Sequence, residues 1–274
     1  RATGRCFRGT SSVGVAESVA ESAADPQVWI AANTSWYVVN FRARLIESLL
    51  RSGYRVSVLS PPDRYVERIV ALGAQHHGIV MDNAGTSPFA DGALLLRLIT
   101  IFRRERPGLL LTFTPKINIY GSLAARAAGV PAIANISGLG RGFIQGGWLT
   151  FVVKLLYRVA LRHPYRVFFQ NDEDHRLFEF GGLVRPDRAA CLPGSGVDLS
   201  RFKPSTKGTA DRPFVFLLAA RLLWDKGLGE FVEAARIVRA IDPSTEFRIV
   251  GFLDAENPTA VSRRQVEDWQ AAGL

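Results

Sequence analysis

The sequence predicts an α/β protein built on parallel β-sheet. Short apolar runs of strand length recur along the chain, and several show no alternation with polar residues, as expected for strands buried on both faces. Between most of them lie stretches of helical periodicity, two of which stop at Gly53 and Gly73, a residue type that favours helix ends. Strands and helices that alternate in this way form right-handed βαβ units around a parallel sheet.

The elements follow one another from residue 28 onward. The first group of predicted strands comprises residues 28–32, 55–59, 77–81, 109–113, 132–136, 166–169 and 189–192. Residues 33–37 are predicted as a loop, and helices are predicted at residues 41–51, 63–72, 88–104 and 148–162. The second group has strands at residues 214–218 and 246–250, a helix at residues 228–241 and another helix that begins near residue 261.

Composition divides the chain into three parts. Residues 1–26 are rich in Ala, Ser, Gly and Val without periodicity, and we expect a disordered or artefactual leader there. Residues 27–204 hold the first group of strands and form a first domain. A polar stretch with Pro204, Gly208 and Pro213 is typical of a linker, which places the boundary after residue 204. Residues 205–274 hold too few strands for a doubly wound domain, so we expect an incomplete second domain.

Charge and composition limit the classes of function. The 274 residues carry a net charge of +9, which favours an anionic partner: a nucleotide, a membrane surface or a nucleic acid. The two cysteines, Cys6 and Cys191, are too few for a disulfide framework and indicate a reducing compartment. The four histidines lack the spacing of metal ligands, and no apolar run reaches transmembrane length. We therefore expect no metal site.

Two cations, Arg221 and Lys226, lie in the turn between the strand at residues 214–218 and the helix at residues 228–241. Open α/β sheets bind ligands at such turns, beyond the carboxyl ends of the strands. A guanidinium can bind two phosphate oxygens and an ammonium adds a mobile point charge, so the pair suits a diphosphate. On composition alone, two solvated turn cations are the better interpretation.

Two earlier strand-to-helix loops carry further candidate ligand-binding residues. Asn33, Thr34 and Ser35 can offer hydroxyls and backbone N–H groups to a ligand, or act as ordinary helix caps. Lys116 and Asn118 can contact sugar hydroxyls or a phosphate, or act as a solvated cation and a cap.

A glycine-rich segment follows the strand at residues 132–136 and includes Ser137, Gly138 and Gly140. A dinucleotide fingerprint would need glycine at the position of Phe143, so that motif is absent. The glycines still let backbone approach a ligand closely, and a flexible loop without contacts is the alternative.

The helix predicted at residues 148–162 has a basic face. Lys154, Arg158 and Arg162 fall four residues apart, most of the other residues are apolar, and no acidic residue occurs between Arg141 and Arg166. This pattern predicts a helix that lies on an anionic membrane surface. A core-packing helix with a solvated basic side is the alternative.

Several of these stretches together resemble one subgroup of the family 4 retaining glycosyltransferases, which builds capsule, O-antigen or lipid-linked oligosaccharide units. They are NFR, SPPD, NIYG, SGLG, FFQN, LPGSGVDLSRF and ARLLWDKG, in the order of the family. The resemblance implies a GT-B fold: a Rossmann-like first domain on the acceptor side and the beginning of a Rossmann-like second domain that binds the nucleotide-sugar.

The resemblance also implies the reaction and its place. A sugar passes from a nucleotide-sugar, here expected to be a UDP-sugar, to a lipid-linked saccharide with retained anomeric configuration and without a metal or other cofactor. The expected location is the cytoplasm, peripheral on the inner face of a bacterial plasma membrane.

The resemblance assigns roles to the candidate residues. Arg221 and Lys226 match the donor-diphosphate motif and would neutralise charge on the departing nucleotide. Gly196 and Asp198 match an element at the crossing between the domains, whose simpler interpretation is a tight turn. Lys116 stands in a loop where relatives often carry a histidine, so a catalytic histidine is in question and Lys116 is the substitute.

Two donor-binding glutamates of the family would lie beyond residue 274. We therefore expect a C-terminally truncated fragment that binds donor poorly and turns over negligibly. The alternatives are a membrane- or acceptor-binding domain without catalysis, and a nucleotide-sugar epimerase of the same fold. A nucleic-acid binder is least favoured, because the cations are scattered among helices rather than grouped with stacking aromatic residues.

Overall fold

A computed structural model describes residues 26–83, 85, 87–139, 147–204, 213–252 and 259–273. The chain divides into two compact units, the first ending at Asp198 and the second beginning at Leu199. The predicted boundary after residue 204 lies a few residues further along. Residues 1–25, where a leader is expected, lie outside the described residues.

The first unit is organised around a parallel sheet. Its strands are β1 (Gln27–Ala31), β2 (Arg55–Ser60), β3 (Gln75–Gly78), β4 (Leu109–Phe113), β5 (Ala132–Ile136), β6 (Arg166–Phe169) and β7 (Ala189–Cys191), in the spatial order β3-β2-β1-β4-β5-β6-β7. All neighbouring strands are parallel, and Ile30 of β1 lies between Val58 of β2 and Leu111 of β4. This is the strand order of a doubly wound Rossmann-like fold, so the predicted α/β class is confirmed.

Helices cover both faces of this sheet. They are α1 (Ser35–Phe41), α2 (Ala43–Arg51), α3 (Val66–Ala71), α4 (Pro88–Glu105), α5 (Ser122–Ala128), α6 (Gly147–Ala160) and α7 (Asp172–Phe180), and a π-helical turn, Ile117–Gly121, leads into α5. Successive residues of β1 serve opposite faces, because side chains alternate along a strand. Trp29 packs in a core with α4 and α5, whereas Ile30 packs in a core with α1, α2 and α3.

The second unit has a smaller core. Strands β8 (Val215–Ala219) and β9 (Glu246–Val250) pair in parallel, and α8 (Leu228–Ile241) and α9 (Arg263–Ala271) accompany them. The buried residues of its core cluster are Leu222, Leu228, Val232, Val261 and Trp269.

Strands β4, β5, β6 and β9 and helix α8 have the predicted bounds. The prediction for residues 33–51 is wrong in two ways. Helix α1 already begins at Ser35, because the Thr34 side chain caps it, and the helical path is interrupted at Arg42 (φ −129°, ψ 1°). The loop predicted at residues 33–37 is therefore short, and the helix predicted at residues 41–51 is two helices.

Other bounds also differ from the prediction. The strand predicted at residues 77–81 is β3, Gln75–Gly78, whose last paired residue lies opposite Ser60. The ladder stops there because Pro61 and Pro62 follow β2 and have no N–H group to donate. Helix α3 begins at Val66 rather than residue 63, α6 ends at Ala160 rather than residue 162, and β8 begins one residue later than predicted.

Candidate functional site

The carboxyl ends of β1 and β4 form the expected ligand-binding edge of the first unit. The strand order changes direction between these two strands, and open α/β sheets bind ligands in the crevice at such a switch point. Five candidate residues of the first unit lie in the segments that leave this edge: Asn33, Thr34, Ser35, Lys116 and Asn118.

The loop after β1 gives its three candidates different roles. Thr34 Oγ1 accepts the backbone N–H of Tyr37 at 3.1 Å and caps α1. Ser35 is buried; its Oγ lies 2.8 Å from Ser60 Oγ and donates to the carbonyl of Pro61 at 3.2 Å. Asn33 is half-buried and its backbone carbonyl accepts a hydrogen bond from Asn83 Nδ2 at 3.0 Å. The first two side chains thus support the loop itself, and Asn33 remains nearer to solvent.

Lys116, beyond β4, is held by an ion pair. Its Nζ lies 2.7 Å from Asp91 Oδ1 and donates to the carbonyl of Asp82 at 2.7 Å. Tyr120 donates to the other oxygen of Asp91 at 2.9 Å. Burial, and then the hydrogen bond to Asp91, raise the pKa of Tyr120, which keeps this phenol protonated. The cluster ties α4 to the segment after β4, and the charge of Lys116 is matched by a carboxylate.

Asn118 is buried within the sheet edge. Its Oδ1 accepts from Thr112 Oγ1 and its Nδ2 donates to the carbonyl of Asn135, both at 2.9 Å. The amide therefore joins β4 to β5, and its burial keeps it away from solvent.

The residues between β5 and α6 are described in part. Ser137 is exposed and Gly138 is half-buried with φ 152°. Gly140 lies outside the described residues, as does Phe143. The predicted contact of this segment with an acceptor stays a prediction.

The loop after β7 is fixed by two arginines that the sequence analysis did not single out. Arg42, nearly buried, donates to Ser195 Oγ at 3.0 Å and to the hydroxyl of Tyr37 at 2.7 Å, and its guanidinium lies 4.3 Å from the centroid of Phe113. Arg44 forms an ion pair with Asp198. These partners are more than 150 residues apart, so no local pattern could have revealed them.

Gly196 lies in the same loop and has φ 71°, a conformation that favours glycine. The structure thus supports a tight-turn role for Gly196 and an ion-pair role for Asp198. Their predicted part in ligand binding stays a prediction.

In the second unit, Arg221 and Lys226 lie in the turn from β8 to α8, as predicted. Both side chains are exposed, and Lys226 ends a short 3₁₀ turn, Trp224–Lys226. Neither forms an ion pair with a carboxylate of the described residues. The turn therefore presents two cations that an anionic group can bind.

The three basic residues of the α6 region do not have equal roles. Arg158 donates to the carbonyls of Gly181 (2.8 Å) and Gly182 (3.2 Å), at the carboxyl end of α7. Lys154 is exposed within the helix, whereas Arg162 is exposed beyond its last residue. The prediction that all three share one helix face is therefore wrong for Arg162, because the helix ends at Ala160.

The same helix exposes large apolar side chains. Trp148, Phe151, Leu155 and Val159 are 77%, 63%, 49% and 37% exposed, respectively. Their spacing of three or four residues places them on one face, opposite the side that buries Tyr157 and Ala160. The residue types alone show that this helix is apolar but do not distinguish its buried face from its exposed one.

The part of the chain that the structure describes contains neither a candidate metal site nor a candidate membrane-spanning helix. Its His, Cys, Asp and Glu residues form no group of three that could hold a metal ion. None of its helices is long and apolar enough to cross a bilayer.

The sequence profile of the glycosyl transferase 4-like domain family matches residues 38–194. N,N'-diacetylbacillosaminyl-diphospho-undecaprenol alpha-1,3-N-acetylgalactosaminyltransferase of Campylobacter jejuni is 26% identical over 241 residues, which cover 82% of this chain and 63% of that enzyme. UDP-Gal:alpha-D-GlcNAc-diphosphoundecaprenol alpha-1,3-galactosyltransferase of Escherichia coli is 28% identical over 176 residues, which cover 59% of this chain and 44% of that enzyme. The chain thus spans less than two thirds of the length of either relative.

A solved structure is similar to this chain in its fold. Anabaena Alr3699/HepE, crystallised in complex with UDP and glucose, superposes with a TM-score of 0.62 over 89% of this chain and 64% of that one. The two sequences are 16% identical, so the likeness shows a shared fold, and it confirms the predicted GT-B-like class.

Proposed function

Because this chain belongs to the glycosyl transferase 4-like domain family, we propose that it serves the transfer of a sugar from a UDP-sugar to a lipid-linked saccharide. The relatives from C. jejuni and E. coli are named for transfer to diphospho-undecaprenol-linked sugars, which supports an acceptor of this class. The proposed location is the inner face of a bacterial plasma membrane, where such an acceptor and a cytoplasmic nucleotide-sugar can meet. The proposed outcome is retention of the anomeric configuration without a metal.

The exposed pair Arg221 and Lys226 carries the donor side of this proposal. Two cations without a carboxylate partner among the described residues, on one strand-to-helix turn, provide the charge that a diphosphate requires. As the bond to the transferred sugar breaks, negative charge grows on the diphosphate, and fixed cations stabilise it. This role needs no protein nucleophile.

The test is the affinity of the purified protein for UDP, measured by calorimetry. A charge-assisted hydrogen bond contributes about 1.5–3 kcal/mol, so Arg221→Ala and Lys226→Ala should each weaken binding about tenfold or more. Arg236→Ala is the matched control, since Arg236 is an exposed arginine of α8 that pairs with Glu233 instead. An unchanged UDP affinity in the Arg221/Lys226 double alanine variant would refute the donor assignment.

Helix α6 supports a peripheral membrane contact for the acceptor side. Its exposed apolar face, formed by Trp148, Phe151, Leu155 and Val159, suits the acyl boundary of a bilayer, and the nearby Lys154 suits anionic headgroups. We propose that α6 lies in the membrane interface, which would bring the first unit to a lipid-linked substrate.

We predict that these 274 residues alone catalyse sugar transfer weakly or not at all. Efficient sugar transfer by these residues alone would contradict it. Inversion of the anomeric centre in the product would contradict the proposed retention. Conversion of the UDP-sugar to an epimer without an acceptor would favour the epimerase alternative.

A further inference from the structure

A pair of aromatic side chains is exposed at the ligand-binding edge of the first unit. Trp36, the second residue of α1, is 42% exposed, and Phe41 at the end of the same helix is 45% exposed. Their rings meet edge to face with centroids 5.6 Å apart. Phe41 packs in turn on Tyr37, at 5.3 Å, so this surface rests on a fixed aromatic support. Part of the Trp36 indole is therefore open to solvent beside the switch point of the sheet.

Two polar side chains hold the backbone of Trp36. Asp63 accepts the backbone N–H of Trp36 through Oδ2 (3.1 Å) and that of Tyr65 through Oδ1 (2.8 Å), which holds the carboxylate still. Each of these oxygens keeps a further lone pair. Asn40 donates to the carbonyl of Trp36 at 2.8 Å and keeps its own amide oxygen as an acceptor. The residue with the exposed indole is thus held through its backbone by two side chains that keep spare oxygen acceptors.

This combination matches the chemistry of a pyranose. A sugar ring has a face of C–H groups that can pack on an indole and a rim of hydroxyls that can donate to a carboxylate or an amide oxygen. An acyl chain would leave the acceptors unused, and an anionic group would be repelled by Asp63. We propose that Trp36, Asp63 and Asn40 form a subsite for one pyranose ring of the acceptor saccharide. The inference rests on the proposed function, because it names a subsite for the substrate of that reaction.

Trp148, another exposed tryptophan, provides a comparison outside this surface. Trp148 lies on α6 among exposed apolar side chains, surroundings that suit a lipid interface rather than a sugar. Replacement of either residue removes an exposed indole, so the two variants separate saccharide binding from membrane binding.

The experiment measures binding of methyl glycosides of galactose and N-acetylglucosamine by saturation-transfer NMR. Trp36→Ala should weaken binding at least tenfold and abolish saturation of the ring C–H protons, whereas Trp36→Phe should retain most of it. Asp63→Asn should weaken binding several-fold, and Trp148→Ala should leave it unchanged. Circular dichroism and thermal melting verify that each variant is folded.

Equal binding by Trp36→Ala, or no binding by the unsubstituted protein at millimolar glycoside, overturns the subsite. Sugar transfer to a soluble acceptor with an unchanged KM in Trp36→Ala also overturns the subsite but leaves the proposed function intact. Saccharide binding that depends on Trp36, with no transfer from any UDP-sugar, supports the subsite and contradicts the proposed function. Binding of a protein partner through Trp36, without binding of a glycoside, also overturns the subsite.

Discussion

Thr114, directly after β4, has a backbone conformation that side chains rarely adopt. Its φ is 70°, in the left-handed region, and its hydroxyl is buried without a hydrogen-bond partner among the described residues. A left-handed residue with a branched β-carbon costs about 1–2 kcal/mol. Together with the π-helical turn at Ile117–Gly121, this strain lies at the switch point of the sheet, where irregular backbone is common at functional sites.

Two histidines of β3 are a second feature at the scale of single residues. Burial lowers the pKa of His76 and of His77 below the usual value of an imidazole. The His77 ring packs on Trp29 at a centroid distance of 4.3 Å, and its Nε2 is buried without a partner among the described residues. Protonation of His77 would therefore place a charge on a ring whose Nε2 is shielded from water and has no partner among the described residues.

We expect the protein to lose stability in mild acid through these histidines. Because their pKa is lowered in the folded protein, the unfolded chain binds more protons below about pH 6.5, and the free energy of unfolding falls as the pH drops through that range. The measurement is urea unfolding between about pH 7 and about pH 5. His77→Phe, which keeps a ring against Trp29, should reduce the loss. A pH dependence unaffected by His77→Phe and by His76→Asn would show that other groups cause it.

At the scale of elements, α6 differs from the other described helices in the number of large apolar side chains that it exposes on one face. Burial of an aromatic side chain in an apolar environment contributes about 1.5–3 kcal/mol, and a cation near an anionic membrane adds about 1 kcal/mol. The apolar face should therefore set the strength of membrane binding, and the cations its preference for anionic lipid.

The prediction for α6 concerns co-sedimentation with vesicles. The double variant Trp148→Ser/Phe151→Ser should bind phosphatidylglycerol vesicles at least about tenfold more weakly. Lys154→Gln/Arg162→Gln should lose mainly the advantage of these vesicles over phosphatidylcholine vesicles. Phe89→Ser, which replaces an exposed aromatic residue of α4, is the control and should change neither quantity. Unchanged binding of the Trp148/Phe151 variant would exclude α6 as the contact.

At the scale of the whole molecule, the two units differ in how well their sheets are covered. In the first unit, β1 and β4 contribute to cores on both faces of the sheet. In the second unit, β8 exposes Val215, Phe216 and Leu217, and β9 exposes Val250. Local stability follows buried apolar contact, so the second unit should open more readily than the first.

Amide hydrogen exchange followed by mass spectrometry tests this difference. In the 274-residue chain, amides of β8 and β9 should exchange at least about tenfold faster than those of β4 and β5, which corresponds to about 1.4 kcal/mol of local stability. Equal protection of all four strands would mean that the described contacts do not limit opening of the second unit.

The sequence by itself determined the α/β class, most strand positions and the turn that carries Arg221 and Lys226. Apolar runs, helical periodicity and glycine stops are local signals, and β4, β5, β6, β9 and α8 were placed correctly from them. The ion pair of Lys116 with Asp91 and the burial of Ser35 and Asn118 were decided only by tertiary structure. Their partners come from distant parts of the chain, which a local pattern does not contain.

Exposure was also decided only by the fold. Nothing in the residue types distinguishes Trp36 and Trp148, which are exposed, from Trp29, which is buried in the centre of the sheet. The physical reason is that hydrophobicity determines which side chains are stabilised by leaving water, whereas tertiary packing determines which of them are buried. The side chains left outside at the sheet edge and on α6 are those that mark the candidate surfaces.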